Sequence, residues 1–167
     1  MSQVEISSKI LDIVFDEKEL IFNFFVTFSR FEYALKISGY MIENETVWPD
    51  WKRFIEENYM NFDKNHSSIA KSYEYLDSDP VKKQILDNSK NLGWKVSQRG
   101  EKDSDMEWAI KQVKTIRNNL FHGGKIPFDP DRDSKLLLAG LDILEYCANF
   151  NKSFLHAFTL VIKKRRD

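Results

Sequence analysis

Residues 104–125, which read SDMEWAIKQVKTIRNNLFHGGK, decide the fold. The stretch begins with Ser104 and Glu107, spaced as in a capping box, where a hydroxyl and a carboxylate each satisfy a free backbone N–H group. Apolar residues then recur every three or four positions, as on a helix with a single core-facing stripe. Gly123 can adopt the left-handed conformation that ends a helix. The pattern therefore predicts a helix over residues 105–122.

Three side chains suited to binding an RNA phosphate lie in the last turns of this helix: Arg117, Asn118 and His122. Asn118 and His122 are four positions apart and share one helix face. Arg117 and His122 point roughly 140° apart around the helix axis. One helix cannot easily aim both at the same atom, whereas two copies related by a two-fold axis can bring them into one cleft. The spacing therefore favours a homodimer.

These residue types fit the cleavage of RNA without a metal. The ribose 2′-OH can itself attack the neighbouring phosphate, so the protein needs to move protons and to neutralise charge. Histidine titrates near neutral pH and can transfer the protons. Arginine stays charged and presents a planar fork to phosphate oxygens. DNA lacks the attacking hydroxyl, so we expect a ribonuclease that leaves DNA intact.

The motif over residues 117–122, RNNLFH, resembles the motif of the HEPN superfamily. Members of this superfamily are all-α bundles that are commonly dimeric. Many are ribonucleases of toxin–antitoxin, phage-defence and CRISPR systems, and others bind without catalysis. The resemblance implies that Arg117 and His122 are catalytic and that Asn118 and Asn119 support them.

The resemblance also implies a function and its partners. We expect a metal-independent endoribonuclease, a toxin or phage-defence effector, which acts on RNA as a homodimer with a composite active site. It would need no cofactor, and an antitoxin or another defence-system protein would be its partner. The alternative is a non-catalytic HEPN module that binds RNA, a nucleotide or a partner protein. HEPN toxins that a nucleotidyltransferase partner silences usually carry a tyrosine two residues after the histidine. Gly124 stands at that position here, so we do not expect control by modification of such a tyrosine.

Two lysines flank the motif and are candidates for RNA binding. Lys114 precedes Arg117 by one helical turn, and Lys125 follows the glycine pair. Both could contact flanking phosphates, although solvated surface lysines are equally common. The basic residues 163–166 suit a helix C-terminus without any contact with RNA.

Composition predicts one cytoplasmic domain over residues 1–167. The net charge of −1 excludes a global basic field, so any contact with RNA must be local. Cys147 is the single cysteine, which indicates a reducing compartment. The three histidines are far apart, and we expect no metal site. We see neither a signal peptide nor an apolar run long enough to span a membrane.

The rest of the chain predicts an all-α fold, a helical bundle with a HEPN-like four-helix core, long first and last helices and short extra helices. The aromatic-rich first helix should be central in the bundle, and Arg30 and Glu32 should form an ion pair or brace the motif. No alternating segment is bounded by hairpin turns, so no strand is expected. The predicted helices cover residues 16–38, 51–59, 67–76, 80–88, 105–122 and 134–164, with loops at 92–103 and 123–133.

Overall fold

The computed structural model describes residues 18–44, 46–121 and 129–160. The predicted start of the first helix at Asp16 and the basic residues 163–166 lie outside these ranges. The described residues form six α-helices and four short strands, with a 3-10 turn (Tyr59–Asn61) after the second helix. The elements are α1 (Lys18–Ile37), β1 (Met41–Glu43), β2 (Val47–Pro49), α2 (Trp51–Asn58), α3 (Ala70–Ser78), β3 (Lys82–Leu86), β4 (Leu92–Val96), α4 (Asp105–Phe121), α5 (Pro130–Ala148) and α6 (Lys152–Thr159).

The helices enclose one aromatic core. Helix α5 packs against α1, α3 and α4, and α1 also packs against α6. Phe31 lies at the centre, with its ring stacked on Trp51 at 5.2 Å and its centroid 5.5 Å from Phe54 and 4.9 Å from Phe154. Aromatic pairs at these distances add attraction beyond the burial of apolar surface. The prediction of a mostly helical fold is confirmed.

Two helices have the ends that their sequences predict. The Ser104 hydroxyl accepts a 3.1 Å hydrogen bond from the Glu107 backbone N–H group, and α4 begins at Asp105. Helix α1 ends at Ile37, and Gly39 follows with a φ angle of 87°. Only glycine adopts that conformation without strain.

The prediction of an all-α fold is wrong, because two antiparallel hairpins, β1–β2 and β3–β4, interrupt the helices. Residues 80–88 were expected to be helical but contain β3, and the predicted loop 92–103 contains β4. Tertiary hydrogen bonds explain the difference. The backbone N–H group of Val81 donates to the Gln112 side-chain oxygen at 2.7 Å, and Arg132 binds the Asp79 carboxylate at 2.8 Å. These contacts direct the backbone away from α3 and into a strand.

The predicted last helix is divided into α5 and α6, and it begins earlier than expected. Asp129, rather than Ser134, caps α5, because its side chain accepts a hydrogen bond from the Arg132 backbone N–H group at 3.2 Å. Asn149 ends α5. Asn151 then caps α6 through a 2.6 Å hydrogen bond from the Phe154 backbone N–H group. Asparagine is favoured at both kinds of helix end.

Helix α1 is less enclosed than its aromatic content suggests. Phe24 is fully buried, whereas Phe22 and Phe25 are 63% and 43% exposed. The expected pairing of Arg30 with Glu32 is also wrong. Arg30 instead donates to backbone carbonyl oxygens at the end of α6, at 2.7–3.1 Å, where a cation is favoured. None of the described helices is long and apolar enough to cross a membrane.

Candidate functional site

Arg117 lies in the last described turn of α4, where two aromatic rings and an amide surround its guanidinium. The guanidinium carbon is 4.9 Å from the centroid of the Phe121 ring and 5.8 Å from that of Phe28. Its Nη1 atom donates a 3.2 Å hydrogen bond to Asn118 Oδ1. The side chain is half-buried. Cation–π attraction and the hydrogen bond therefore limit the orientations that the guanidinium can adopt.

The guanidinium of Arg117 differs from those of Arg99 and Arg132 in its lack of an acidic neighbour among the described residues. Among the residues that the structure describes, no carboxylate lies within ion-pair distance of its guanidinium. By contrast, Arg132 pairs with Asp79 at 2.8 Å and Arg99 with Asp105 at 2.8 Å. Arg117 is therefore an arginine with donors available for an anion.

Asn118 lies at the end of an open groove between α2 and α4. The groove has a volume of about 550 Å³ and is lined by Trp51 and Ile55 of α2 and by Ile110, Lys114 and Asn118 of α4, among others. Asn118 is exposed. Its oxygen accepts from Arg117, so its amide nitrogen remains as a donor toward the groove. Its lining combines apolar side chains with charged ones of both signs, and the remaining charged residues are Lys52, Glu56, Glu107 and Lys111.

Lys114 brings a positive charge to this groove. Its ammonium lies 5.7 Å from the centroid of the Trp51 ring. Partial desolvation lowers the pKa of Lys114, and the carboxylate of Glu32 opposes that effect. Lys114 is exposed, so its ammonium is accessible to an incoming anion.

Asn119 does not join this group. Its amide nitrogen donates a 2.7 Å hydrogen bond to the Lys82 carbonyl oxygen, so its side chain contacts β3. The structure thus brings Arg117, Asn118 and Lys114 to neighbouring positions and places Asn119 against the hairpin. His122 and Lys125 lie outside the described residues, and their roles stay predictions.

An exposed aromatic patch that was not predicted from the sequence adjoins Arg117. The patch consists of Phe22, Phe25 and Phe121, which are 63%, 43% and 51% exposed. The rings of Phe25 and Phe121 are 5.5 Å apart, and Phe121 also lies under the Arg117 guanidinium. Clustered exposed aromatic side chains are typical of interaction surfaces. Sequence spacing alone does not separate these phenylalanines from those of the core.

The described residues hold neither a cluster of metal ligands nor an exposed thiol. Within residues 18–44, 46–121 and 129–160, no group of three or more His, Cys, Asp or Glu side chains is placed to hold a metal ion. Cys147 is buried, and burial raises the pKa of its thiol. A buried protonated thiol is a poor nucleophile. The described side chains at this end of α4 therefore offer a guanidinium, an amide and an amine.

Comparison with known proteins gives no match. No protein-family model matches the chain, and neither a curated protein nor a solved structure matches it. The resemblance to the HEPN superfamily therefore rests on the motif over residues 117–122.

Proposed function

We propose that the protein is a metal-independent endoribonuclease whose active site is centred on Arg117 and His122. The observation that carries the proposal is the state of Arg117. Its half-buried guanidinium is oriented by two rings and an amide, and no described carboxylate neutralises it. An arginine that is held in place but not paired suits the stabilisation of a phosphate in a transition state.

The proposed reaction needs only groups that the chain and RNA supply. The 2′ oxygen attacks the adjacent phosphorus, the bond from phosphorus to the 5′ oxygen breaks, and a 2′,3′-cyclic phosphate and a 5′-hydroxyl end result. His122 acts in the proton transfers from the 2′-OH to the leaving oxygen, a contribution of typically about 10²–10⁴-fold. Arg117 neutralises the charge on the phosphate oxygens.

Asn118 and Lys114 have supporting roles in this proposal. Asn118 orients the Arg117 guanidinium through its 3.2 Å hydrogen bond and has a free amide nitrogen for a phosphate oxygen. Lys114 lies in the same groove as Asn118 and would hold a flanking phosphate. The groove gives an RNA strand a path along α4 toward the motif.

We further propose that the active enzyme is a homodimer with a HEPN-like helical bundle in each subunit. The aromatic patch of Phe22, Phe25 and Phe121 supports this, because its three rings are exposed and one of them, that of Phe121, contacts the Arg117 guanidinium. A second copy seated on the patch would bury these rings and exclude water from the guanidinium. It would also bring a second His122 toward the cleft, as the angle between Arg117 and His122 on one helix requires.

The test is incubation of the purified protein with unstructured and structured RNA in excess EDTA. We expect cleavage that survives chelation, yields 2′,3′-cyclic phosphate ends and is lost in both Arg117→Ala and His122→Ala. The matched controls are Arg53→Ala and His156→Ala, which remove the same residue types at exposed positions of α2 and α6. Cleavage that persists in His122→Ala would refute the proposal.

The alternative function is an HEPN module that binds RNA, a nucleotide or a partner protein without turnover. The net charge of −1 favours it in one respect, because a weakly acidic chain has little general affinity for RNA. Binding of RNA that is not followed by any cleavage, in the wild-type protein and in both motif variants alike, would establish this alternative.

A toxin or defence effector should in addition arrest growth when expressed, and Arg117→Ala should abolish that arrest.

A further inference from the structure

We propose that the β3–β4 hairpin binds single-stranded RNA and forms a second contact surface for the substrate beside α4. The biological role of this surface rests on the proposed function, because the surface would make unpaired RNA the substrate class of the proposed enzyme. Its physical evidence is separate from the motif. The hairpin comprises Lys82–Leu86 and Leu92–Val96 joined by a turn, and neither site residue Arg117 nor His122 belongs to it.

Charge is the first argument. Residues 82–96 contain four lysines and one aspartate in a chain whose net charge is −1. The single carboxylate, that of Asp87, is occupied by the turn, because one of its oxygens accepts from the backbone N–H groups of Ser89 and Asn91 at 2.8 and 2.9 Å. The hairpin is therefore a local basic element of a weakly acidic protein, which complements a polyanion.

Two of these lysines lie opposite each other, and their repulsion destabilises the hairpin. Lys83 and Lys95 are directly paired across the strands, and both are exposed. Like charges in this arrangement destabilise a hairpin. A row of phosphates lying along the strands would convert this repulsion into attraction. The pairing therefore favours an anionic occupant over an apolar one.

The tip of the hairpin carries another lysine in an unfavourable conformation. Lys90 has a φ angle of 61°, a left-handed conformation that suits glycine or asparagine better than lysine. A glycine there would form the same turn without strain. The sequence instead has a lysine at the tip, which adds a fourth positive charge to those of Lys82, Lys83 and Lys95 on the strands.

Trp94 provides a stacking surface on the other face of the hairpin, because its pair with Gln84 is one position along the ladder from the Lys83–Lys95 pair. It is 37% exposed on a two-stranded sheet and is paired with Gln84 across the strands. Leu86 and Leu92 share its face, because their pair lies two positions along the ladder. An exposed indole beside apolar side chains fits a base that stacks on it. A strand that runs along β4 can place this base on one face of the hairpin while its phosphates contact Lys83 and Lys95 on the other face. Stacking of this kind requires unpaired bases.

The hairpin is attached to the helix that carries the motif. Asn119 donates to the Lys82 carbonyl oxygen at 2.7 Å, and buried Gln112 accepts from the Val81 backbone N–H group at 2.7 Å. The base of the hairpin is thus held against α4, while Leu86 and Leu92 near the tip are 66% and 70% exposed. The hairpin surface is thus fixed in place beside the helix that carries the motif.

The test measures binding to an unstructured 2′-O-methyl RNA oligonucleotide, which cannot be cleaved because its 2′ oxygens are blocked. Affinity is followed by fluorescence anisotropy over a range of salt concentrations, with Lys83→Gln/Lys95→Gln, Trp94→Ala and the matched control Lys152→Gln at the exposed start of α6. We expect Trp94→Ala to raise Kd roughly tenfold. The double lysine variant should lower the slope of log Kd against log salt by about 1.4, and Lys152→Gln should change neither.

The double lysine variant removes a repulsion, so it should be at least as stable as wild type, and weaker binding cannot then reflect unfolding. Unchanged binding in both hairpin variants would overturn the proposal. Equal affinity for duplex RNA would overturn it as well. A change of oligomeric mass in Trp94→Ala, measured by sedimentation with RNA binding unaltered, would instead identify the hairpin as a protein contact.

A second measurement separates this inference from the proposed function. If the protein cleaves RNA, the hairpin variants should raise KM for a long substrate and leave cleavage of a dinucleotide unchanged, because the dinucleotide reaches only the motif. The wild-type protein could fail to cleave RNA while the hairpin variants still bind the oligonucleotide more weakly than wild type. In that case the proposed function fails and the hairpin surface stands. Cleavage of RNA with a KM that is unchanged in both hairpin variants would instead overturn the hairpin proposal and leave the proposed function standing.

Discussion

The Asn119 side-chain amide donates a 2.7 Å hydrogen bond to the Lys82 carbonyl oxygen and so joins the motif helix to the β3–β4 hairpin. Asn119→Ala should therefore lower the free energy of unfolding by about 0.5–1.5 kcal/mol. It should also speed hydrogen exchange in the two strands of the hairpin. Chemical denaturation and exchange mass spectrometry measure these two effects.

Asn118 is the matched control, because it is adjacent and is the same residue type. Its side chain is exposed and bonds only to Arg117 among the described residues. Asn118→Ala should therefore change stability by less than about 0.5 kcal/mol and should reduce cleavage instead. Equal losses of stability in the two variants would contradict the separate roles assigned here.

Lys90→Gly should stabilise the protein by up to about 1 kcal/mol. Lys90 has a φ angle of 61°, and glycine relieves the steric cost of that conformation, although it also raises the entropy of the unfolded chain. Thermal unfolding measures the gain. Ser89→Gly is the control, because among the described non-glycine residues only Lys90 has a positive φ angle; this variant should be neutral or destabilising. Destabilisation by Lys90→Gly would show that the turn does not strain its lysine.

Gly140→Ala should destabilise the protein by about 1–3 kcal/mol, even though alanine usually favours a helix. A Cβ atom at Gly140 would lie 2.7 Å from Cε2 of Phe24, which is fully buried. Helices α1 and α5 therefore approach each other too closely for a methyl group. The measurement is the urea midpoint.

The second variant in this comparison is Phe24→Leu, which removes the ring atom that a new methyl group would meet. The double variant Phe24→Leu/Gly140→Ala should be more stable than the sum of the two single changes predicts, because the clash is lost. Strict additivity would mean that the two side chains do not compete for the same space.

Asp105 should make stability depend on acidic pH. Partial burial raises the pKa of its carboxyl, but hydrogen bonds from Tyr73, Arg99 and Lys64 outweigh this effect and hold the pKa below its usual value. A carboxyl with a lowered folded-state pKa stabilises the fold above its unfolded pKa of about 4, and this contribution is lost as pH falls through the folded value.

Asp105→Asn should consequently lower the free energy of unfolding at pH 7 by about 1–3 kcal/mol and flatten its decline below about pH 4. Urea unfolding at a series of pH values tests this. The control is Glu145→Gln, which changes an exposed carboxyl of α5 and should leave the profile unaltered. An Asp105→Asn profile as steep as that of wild type would contradict the assignment.

Local signals were sufficient to predict the main helices. The capping box at Ser104 and the positive φ of Gly39 depend on residues within one turn of the helix end, so sequence alone contains the information. The same is true of the division between α5 and α6, where Asn149 and Asn151 stand as paired cap residues. The two asparagines were therefore a usable sequence signal for a break between two helices.

The hairpin β3–β4 was not predictable from its own residues. Pro80 after a run of polar residues is typical of a helix start, and the turn Asp87–Asn91 lacks the asparagine–glycine pair that indicates a hairpin. Its conformation depends on Gln112 and Arg132, which belong to other helices. Tertiary contacts of this kind override local propensity.

For the candidate site, the sequence located the residues but not their surroundings. It placed Arg117 and Asn118 together on one helix end, and it could not show that Phe28 of another helix lies under the guanidinium. It also assigned Asn119 the same role as Asn118, because two adjacent asparagines look alike until the contact with Lys82 is seen.

The hydrogen bonds from Arg30 to the carbonyl end of α6 join segments that are 127–130 residues apart. During synthesis, α1 leaves the ribosome long before its partner exists, by on the order of 6–25 seconds at typical elongation rates. Its buried phenylalanines must meanwhile be shielded by chaperones or by transient contacts. Completion of the core therefore waits for the synthesis of α6, and a product truncated before α6 would lack a closed core.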